Sequence, residues 1–369
     1  MHKKTFRFRI YPTKSQTTLL NSTLEECRWV FNETLATRKN AWQSKKKSLS
    51  KYDTHGLLTT WKKSRPTLKN VHSQVLQNVQ ERVDLAFKAY FRRVKLGDSK
   101  VGYPRFRGTQ RYDSFCYPQF GFKIKEKSIH LSKIGDVKIV LHRQVEGNVK
   151  TCTARKTASG NWHVTLACEV EIAPLPKDTE QVGIDVGLKS FAFLSNGESV
   201  PAPKFFRMDE GDLARIQRRQ SKNKTQRDKH SIALIHKRIV NRRSNFAHQL
   251  SRRIVDQFGL IAVEDIEAGR MVHNHCLAKS ILDAAWSNFL DKLAYKAGYA
   301  DRAFVKVPPA YTSRDCSACG HRQLLTLSDR TYNCPCCGLS IDRDLNASLN
   351  VLSRGRATLG IQSVEAHDF

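Results

Sequence analysis

The sequence predicts a multidomain α+β protein: a β-barrel or sandwich with a helical lobe inserted into it, then an α/β domain that carries a small inserted metal-binding segment. Three observations predict it. Apolar residues recur at helical spacing through residues 10–95. They alternate with polar ones through residues 102–170. Two Cys-x2-Cys pairs, Cys316/Cys319 and Cys334/Cys337, then interrupt a succession of apolar strands and amphipathic helices that resumes behind them.

From the amino terminus, residues 5–10 place Phe6, Phe8 and Ile10 on one face with basic residues between them, the pattern of a half-buried strand that Pro12 ends. Thr13-x-x-Gln16 resembles a capping box, and Leu20, Leu24, Cys27, Phe31 and Leu35 follow at helical spacing. After a polar stretch at 44–51, Val75, Val79, Val83, Phe87 and Tyr90 mark a second helix ending on Arg92, Arg93 and Lys95. The period then changes to two. Strands are expected at 123–131, 137–141 and 149–170, the last folded into a hairpin at Thr157-Ala158-Ser159-Gly160-Asn161. The first strand completes this sheet with the helices between, the alternative being two independent domains in series.

Pro174-Leu175-Pro176 marks a boundary. Beyond it come a strand ending on Asp185, hairpin strands turning at Ser195-Asn196-Gly197, and a basic helical stretch, 211–260, with thirteen Lys or Arg against three acids. A strand ending on Glu264, a helix with Trp286, Phe289, Leu290 and Leu293 facing inward, and a last helix opening near Asp344 complete the pattern. That order is expected of an RNase H-like nuclease core.

Charge narrows the partner. Lys plus Arg number 63 against 34 Asp plus Glu, a net charge of +29, which points to a polyanion and first of all to nucleic acid. No apolar stretch approaches the roughly 18 residues of a membrane span, and the N-terminus has no signal-peptide core, so the chain is expected to stay in the cytoplasm. Of ten cysteines, five lie between Cys316 and Cys337; Cys27, Cys116, Cys152, Cys168 and Cys276 are scattered among apolar neighbours, as core thiols in a reducing compartment would be.

The Cys quartet leaves no open ligand position, so it is expected to bind a structural Zn2+; Cys336 is read as a bystander. Asp185, Glu264 and Asp344 sit at the ends of strongly apolar elements, where a lone ionised carboxylate is costly unless a cation is shared. Oxygen-only ligands suit Mg2+ or Mn2+, and paired ions suit displacement at a phosphodiester. The opposing reading for any one acid is a helix cap or loop residue.

Gly183-Ile184-Asp185-Val186-Gly187, Val263-Glu264-Asp265-Ile266, Thr312-Ser313-x-x-Cys316-Ser317-x-Cys319-Gly320 and Asp342-Arg343-Asp344-x-Asn346-Ala347 together resemble the RuvC nuclease motifs and zinc insertion of the TnpB family, transposon-encoded RNA-guided endonucleases related to type V CRISPR effectors. Tyr11-Pro12-Thr13, Arg28-x-x-Phe31-Asn32 and Gly102-Tyr103-Pro104-Arg105-Phe106-Arg107 extend the resemblance over nearly the whole chain. It implies a wedge-like barrel at 1–10 and 96–178, a helical recognition lobe at 11–95, a RuvC-like domain at 179–315 and 341–352 and a zinc ribbon at 316–340; the tail at 353–369 lies outside the resemblance and, with Gly355, Gly360 and few core-forming residues, is expected to be flexible. It implies a guide RNA from the transposon end and double-stranded target DNA as partners, bound by a monomer, with a short target-adjacent motif met by Tyr52, Ser73, Gln74 and Gln77. Asp185, Glu264 and Asp344 would be the catalytic, Mg2+-binding acids, Asp344 being preferred to Asp342 because it precedes x-Asn-Ala. Arg238, Arg242 and Arg243 are expected at the heteroduplex or substrate strand, against the plainer reading of a solvated basic face. Thr312 and Ser313 are expected to brace the first knuckle, and Lys189 is given no firm role. Two rivals are a nuclease-dead RNA-guided repressor and a guide-independent transposase or resolvase.

Overall fold

A computed structural model describes residues 2–98, 101–109, 111–176, 178–326 and 329–360. A boundary between Glu171 and Ile172 divides them into two compact units. The first runs through strand β1 (His2–Tyr11), helices α1 (Lys14–Lys45), α2 (Lys51–Ser64) and α3 (Ser73–Lys95), then strands β2 (Ser114–Tyr117), β3 (Phe122–Ile124), β4 (Ser128–Leu131), β5 (Gly135–Val140), β6 (Asn148–Lys156) and β7 (Trp162–Val170).

These strands form one antiparallel sheet ordered β2-β6-β7-β1-β5-β4-β3. β1 is central, with Phe8 opposite Val164 of β7 and Ile10 opposite Ile139 of β5. The edge strands β2 and β3 are joined by only residues 118–121. Such a link reaches about 17 Å, whereas a flat sheet of this order would separate its edges by roughly 29 Å, so the sheet must curl until it is nearly closed. Phe6, Phe8, Ile129, Leu131, Val137 and Leu166, none more than 1% exposed, belong to its core.

The capping box forms as expected: Gln16 N donates to Thr13 Oγ1 at 3.3 Å and Thr13 N to Gln16 Oε1 at 3.0 Å. Two elements differ from the sequence expectation. Helix α2 occupies residues that the Lys- and Ser-rich composition hid, although its own capping box, Ser50 with Asp53, was a readable signal. Residues 123–131 are a hairpin rather than one strand, because the charged run Lys125-Glu126-Lys127 turns and leaves Ile124 opposite Ile129.

The second unit contains β8 (Gln181–Asp185), β9 (Ser190–Leu194), β10 (Ser199–Pro201), α4 (Phe205–Lys222), α5 (Gln226–Gln257), β11 (Leu260–Glu264), α6 (Ala268–Met271), α7 (His275–Ala284), α8 (Trp286–Ala300), β12 (Ala303–Val307), β13 (Thr331–Asn333), β14 (Ser340–Asp342) and α9 (Arg343–Thr358). Its main sheet is ordered β10-β9-β8-β11-β12, antiparallel on the β9 and β10 side and parallel among β8, β11 and β12. Val182, Ile184, Ile261 and Val263 join Ile254 of α5 and Phe289 of α8 in one core. Leu260, Ala262, Val305 and Val307 join Val351 and Leu352 of α9 in another. The sheet is therefore covered on both faces, as parallel strands require.

Two glycines let α9 lie directly on the strands. A methyl group on Gly183 would stand 2.1 Å from Ser348 O and 2.5 Å from Leu352 N, and one on Gly355 would stand 2.5 Å from Ala262 Cβ. Helix α9 thus continues past Leu352, correcting the expected tail over 353–358: Gly355, read as a sign of flexibility, is a packing residue. The rest of that expectation, 361–369, lies outside the described residues. Because backbone atoms cannot step aside, Gly183→Ala is expected to cost about 3 kcal/mol and to lower the melting temperature by roughly 10 °C in calorimetry. Gly211→Ala on α4, where nothing lies within 4 Å of the added methyl, should leave it unchanged or slightly higher. Among the described residues no helix is long and apolar enough to cross a membrane.

Candidate active site and metal centre

On a strand, successive side chains alternate between faces. Val182 and Ile184 point into the α5 and α8 core, which leaves Gly183 and Asp185 on the α9 side; Ile261 and Val263 do the same for Ala262 and Glu264. β8 and β11 are parallel, with Ile184 opposite Val263. Asp185 and Glu264 therefore take the next rung together, at the carboxyl ends of neighbouring parallel strands, where ligand sites of α/β sheets form.

Helix α9 brings the third acid. Asp344 lies in its first turn, one turn before Ser348, whose carbonyl rests against Gly183. Asp342, two residues earlier, is the helix cap: its Oδ1 accepts from Asp344 N at 2.8 Å and Leu345 N at 3.2 Å. That hydrogen bonding explains Asp342 without any metal.

Burial and the charges of Glu264 and Asp344 push the Asp185 carboxyl well above the usual carboxylate range, with Arg343 opposing. Burial also raises Glu264, against a hydrogen bond from Thr312 and the charge of Arg354. Repelling carboxylates held in a dry corner are the condition that a bound cation relieves. The donor set, oxygen throughout, fits Mg2+ or Mn2+.

The chain around these acids is cross-tied. Thr312 Oγ1 donates to Glu264 Oε1 at 2.5 Å, Asn346 Nδ2 to Asp315 O at 2.8 Å, and Asn350 Nδ2 to Thr312 O at 2.8 Å and Asp315 O at 2.7 Å. Ser317 N donates to Asn346 Oδ1 at 2.9 Å. The segment before the first Cys pair is thereby fastened both to Glu264 and to the helix bearing Asp344. Sequence reading gave Thr312 only a bracing role and missed Asn346 and Asn350 as ties; a buried Asn on a helix face, with a side chain that must find partners, was the available signal.

Cys316, Cys319, Cys334 and Cys337 place their sulfurs within 4.8 Å of one another, a cluster of candidate ligand atoms found among the described residues. Cys316 and Cys337 sulfurs are 3.6 Å apart, as are those of Cys319 and Cys334. This is too long for a disulfide and close to the ~3.8 Å between corners of a Zn–S tetrahedron. The Cys337 amide brings the Cys334 thiol down to about 6. Exposed Cys336 stands outside the cluster.

The remaining expected residues fall in two groups. Arg238 and Arg242 both bond the buried Asp209, at 2.5 and 3.2 Å, and Arg243 bonds the buried Asp283 at 2.8 Å. Asp283 also accepts from Phe206 N and Arg207 N at the start of α4. These three arginines are engaged inside their own unit, tying α4, α5 and α7. In the first unit, Tyr52 is 74% exposed, Ser73 accepts from Lys62 Nζ at 2.9 Å, Gln74 Oε1 accepts from Phe120 N at 3.3 Å, and Gln77 is exposed. Lys189 is exposed beside β9.

Comparison with known proteins adds the family. A protein of Streptomyces pristinaespiralis named "Putative RNA-guided DNA endonuclease" is 33% identical over 368 residues, covering 96% of this chain and 90% of that one. An Escherichia coli (strain K12) protein, "Putative RNA-guided DNA endonuclease InsQ", is 30% identical over 380 residues, covering 96% and 92%. The chain belongs to the TnpB family. Family profiles match this TnpB-family chain at 286–351 ("Cas12f1-like, TNB domain"), 164–275 ("Probable transposase") and 1–47 ("Helix-turn-helix domain"). Over the last of these the structure has a strand and one 32-residue helix. The solved structure titled "Cryo-EM structure of CRISPR-Cas12f Ternary Complex" is 15% identical with a TM-score of 0.39, over 91% of this TnpB-family chain and 81% of that one, a likeness too loose to carry an argument.

Proposed function

We propose that this chain is an RNA-guided DNA endonuclease of a transposable element, cutting target DNA beside a short adjacent motif by phosphodiester hydrolysis in a RuvC-type, RNase H-like domain. The observation that carries the reading is the convergence of Asp185, Glu264 and Asp344 on one face of a sheet, with charges that repel each other and two of the carboxyls raised. Asp185, Glu264 and Asp344 would hold Mg2+, which when bound supplies activation of water and stabilisation of the leaving oxygen. The chain's own contribution is placement: parallel strands set Asp185 beside Glu264, Thr312 orients Glu264, and the glycine contact of α9 sets Asp344. The Cys quartet would hold a structural Zn2+ that fixes the segment between Glu264 and Asp344.

Delegating sequence choice to a guide needs mostly backbone contacts, in keeping with a net charge of +29. The barrel and helical lobe of the first unit, with Tyr52, Ser73, Gln74 and Gln77 on α2 and α3, would meet the target-adjacent motif. Arg238, Arg242 and Arg243 would act mainly by holding α4, α5 and α7 in place, with Arg238 and Arg242, 46% and 42% exposed, still open to a phosphate and Arg243, 23% exposed, less so. A cytoplasmic monomer on its RNA is the expected working form.

The direct test is purification from the host followed by sequencing of bound nucleic acid and a cleavage assay on matched DNA. A homogeneous RNA ending in a variable segment, with Mg2+-dependent cutting, is expected; absence of RNA would sink the guided reading, and RNA without cutting would leave a repressor. A second test separates the neighbouring acids. Asp344→Asn should reduce cleavage by about 10³-fold, whereas Asp342→Ala should cost only about 1 kcal/mol of stability through the lost cap and keep cleavage within a few-fold. The opposite pattern would reassign the third acid to Asp342.

A further inference from the structure

The end of α3 and the loop behind it carry rings and cations that the nuclease reading leaves unused. Phe91, Tyr103 and Phe106 are 57%, 42% and 53% exposed. Phe91 and Tyr103 are organised around a shared ring, and Phe106 follows on the same loop as Tyr103. Tyr103 stands edge-on to Phe87 at 5.5 Å and to Tyr90 at 5.3 Å between ring centres, and Phe91 stacks on Phe87 at 6.3 Å with 24° between planes. Phe87 is the buried floor, with Arg38 over its ring at 4.4 Å and itself paired with Asp84 at 3.0 Å.

The loop presenting Tyr103 and Phe106 is fixed at both ends. Arg93 donates to Gly102 O at 3.4 Å. Asn32 of α1 donates to Arg107 O at 2.9 Å and accepts from Arg107 N at 2.7 Å. The charge of this stretch is mostly of one sign: the described residues of 88–107 include six Lys or Arg against one acid, Asp98, with Lys88 paired to Asp84. Arg92, Lys95 and Arg105 have no acidic partner among the described residues.

Exposed rings edged by unpaired cations fit a nucleic-acid strand with unpaired bases: the base faces stack on the rings while the phosphates meet the guanidinium and ammonium groups. A duplex hides its base faces, and a second copy of the chain would bring the same positive charge against itself. We propose that Phe91, Tyr103 and Phe106 form a stacking platform for an unpaired stretch of RNA. The choice of RNA rests on the guided reading above, since before any duplex is opened the RNA is the partner that offers unpaired bases.

The experiment compares nucleic-acid-free full-length protein with its Phe91→Ala/Tyr103→Ala and Phe91→Trp variants, using fluorescence anisotropy with a twelve-nucleotide oligouridine, an oligothymidine of equal length and a blunt DNA duplex. The double variant is expected to lose roughly tenfold or more in affinity for oligouridine and less than about twofold for duplex, whose binding is phosphate-driven; Phe91→Trp should bind oligouridine like the parent. Unchanged oligouridine binding by a double variant that melts like the parent overturns the platform. A larger loss on oligothymidine than on oligouridine overturns the RNA assignment, and a dimeric parent made monomeric by the double substitution makes the face a self-association surface instead. Oligouridine binding is measurable whether or not cells load a guide, so failure here and failure of the guided reading are told apart.

Discussion

Asp185→Asn is expected to abolish Mg2+-dependent DNA cleavage and, in the metal-free protein, to raise thermal stability. The activity loss should be on the order of 10³-fold, the consequence of several kcal/mol of missing metal-held stabilisation. The stability gain follows from the raised carboxyls of Asp185 and Glu264. A group whose folded pKa lies above its unfolded value binds more protons in the native state, so metal-free stability falls as pH climbs from the ordinary carboxylate range through the raised value. Removing the Asp185 charge takes away that penalty at neutral pH and leaves the hydrogen-bonding shape in place. An increase of about 1 kcal/mol, or ~2–4 °C, is expected by calorimetry in a chelator. Adding Mg2+ should stabilise the parent by mass action and the variant much less. A variant less stable than the parent in chelator at neutral pH would show that Asp185 is a structural partner rather than a strained ligand.

Cys316→Ser is expected to abolish zinc binding by the Cys quartet and to cut cleavage by at least about tenfold although every proposed Mg2+ ligand is untouched. Cys316 is only 2% exposed and packs with Tyr332 and Cys334 in the small core of the β13 and β14 hairpin. That core has few apolar residues, and structural zinc supplies on the order of 10 kcal/mol to segments of this kind. Its loss frees residues 312–342, and with them the ties from Thr312 to Glu264 and from Asp315 and Ser317 to Asn346. Metal analysis should fall from one zinc per chain to none, and hydrogen exchange should rise through β13, β14 and the first turn of α9. Normal cleavage by zinc-free protein would show that the glycine contact of α9 alone is enough to hold Asp344.

Much of the site was legible because its chemistry is local. Two Cys-x2-Cys turns, strands that end on Asp185 and Glu264, and the Asp-x-Asn-Ala start of α9 are each readable within a few residues. The partners of the ties were not legible, because Thr312, Asn346 and Asn350 act on groups whose separation in sequence gives no period. The basic helix shows the limit from the other side. Arg238, Arg242 and Arg243 look like a phosphate-binding face in sequence, yet Asp209 and Asp283, distant along the chain, turn out to occupy them.

By itself the sequence determined most of the elements outside α2, the zinc-type quartet, the oxygen donors and the demand for a polyanionic partner, since periodicity, ligand spacing and net charge are properties of short windows or of simple sums. The tertiary structure decided which acid is a cap and which shares the electrostatics of Asp185, how far α9 runs, and which arginines are already paired. Those outcomes depend on close approach across the fold: the bare backbone of Gly183 against Ser348, Gly355 against Ala262, and buried carboxylates that take whichever cation the packing brings within reach.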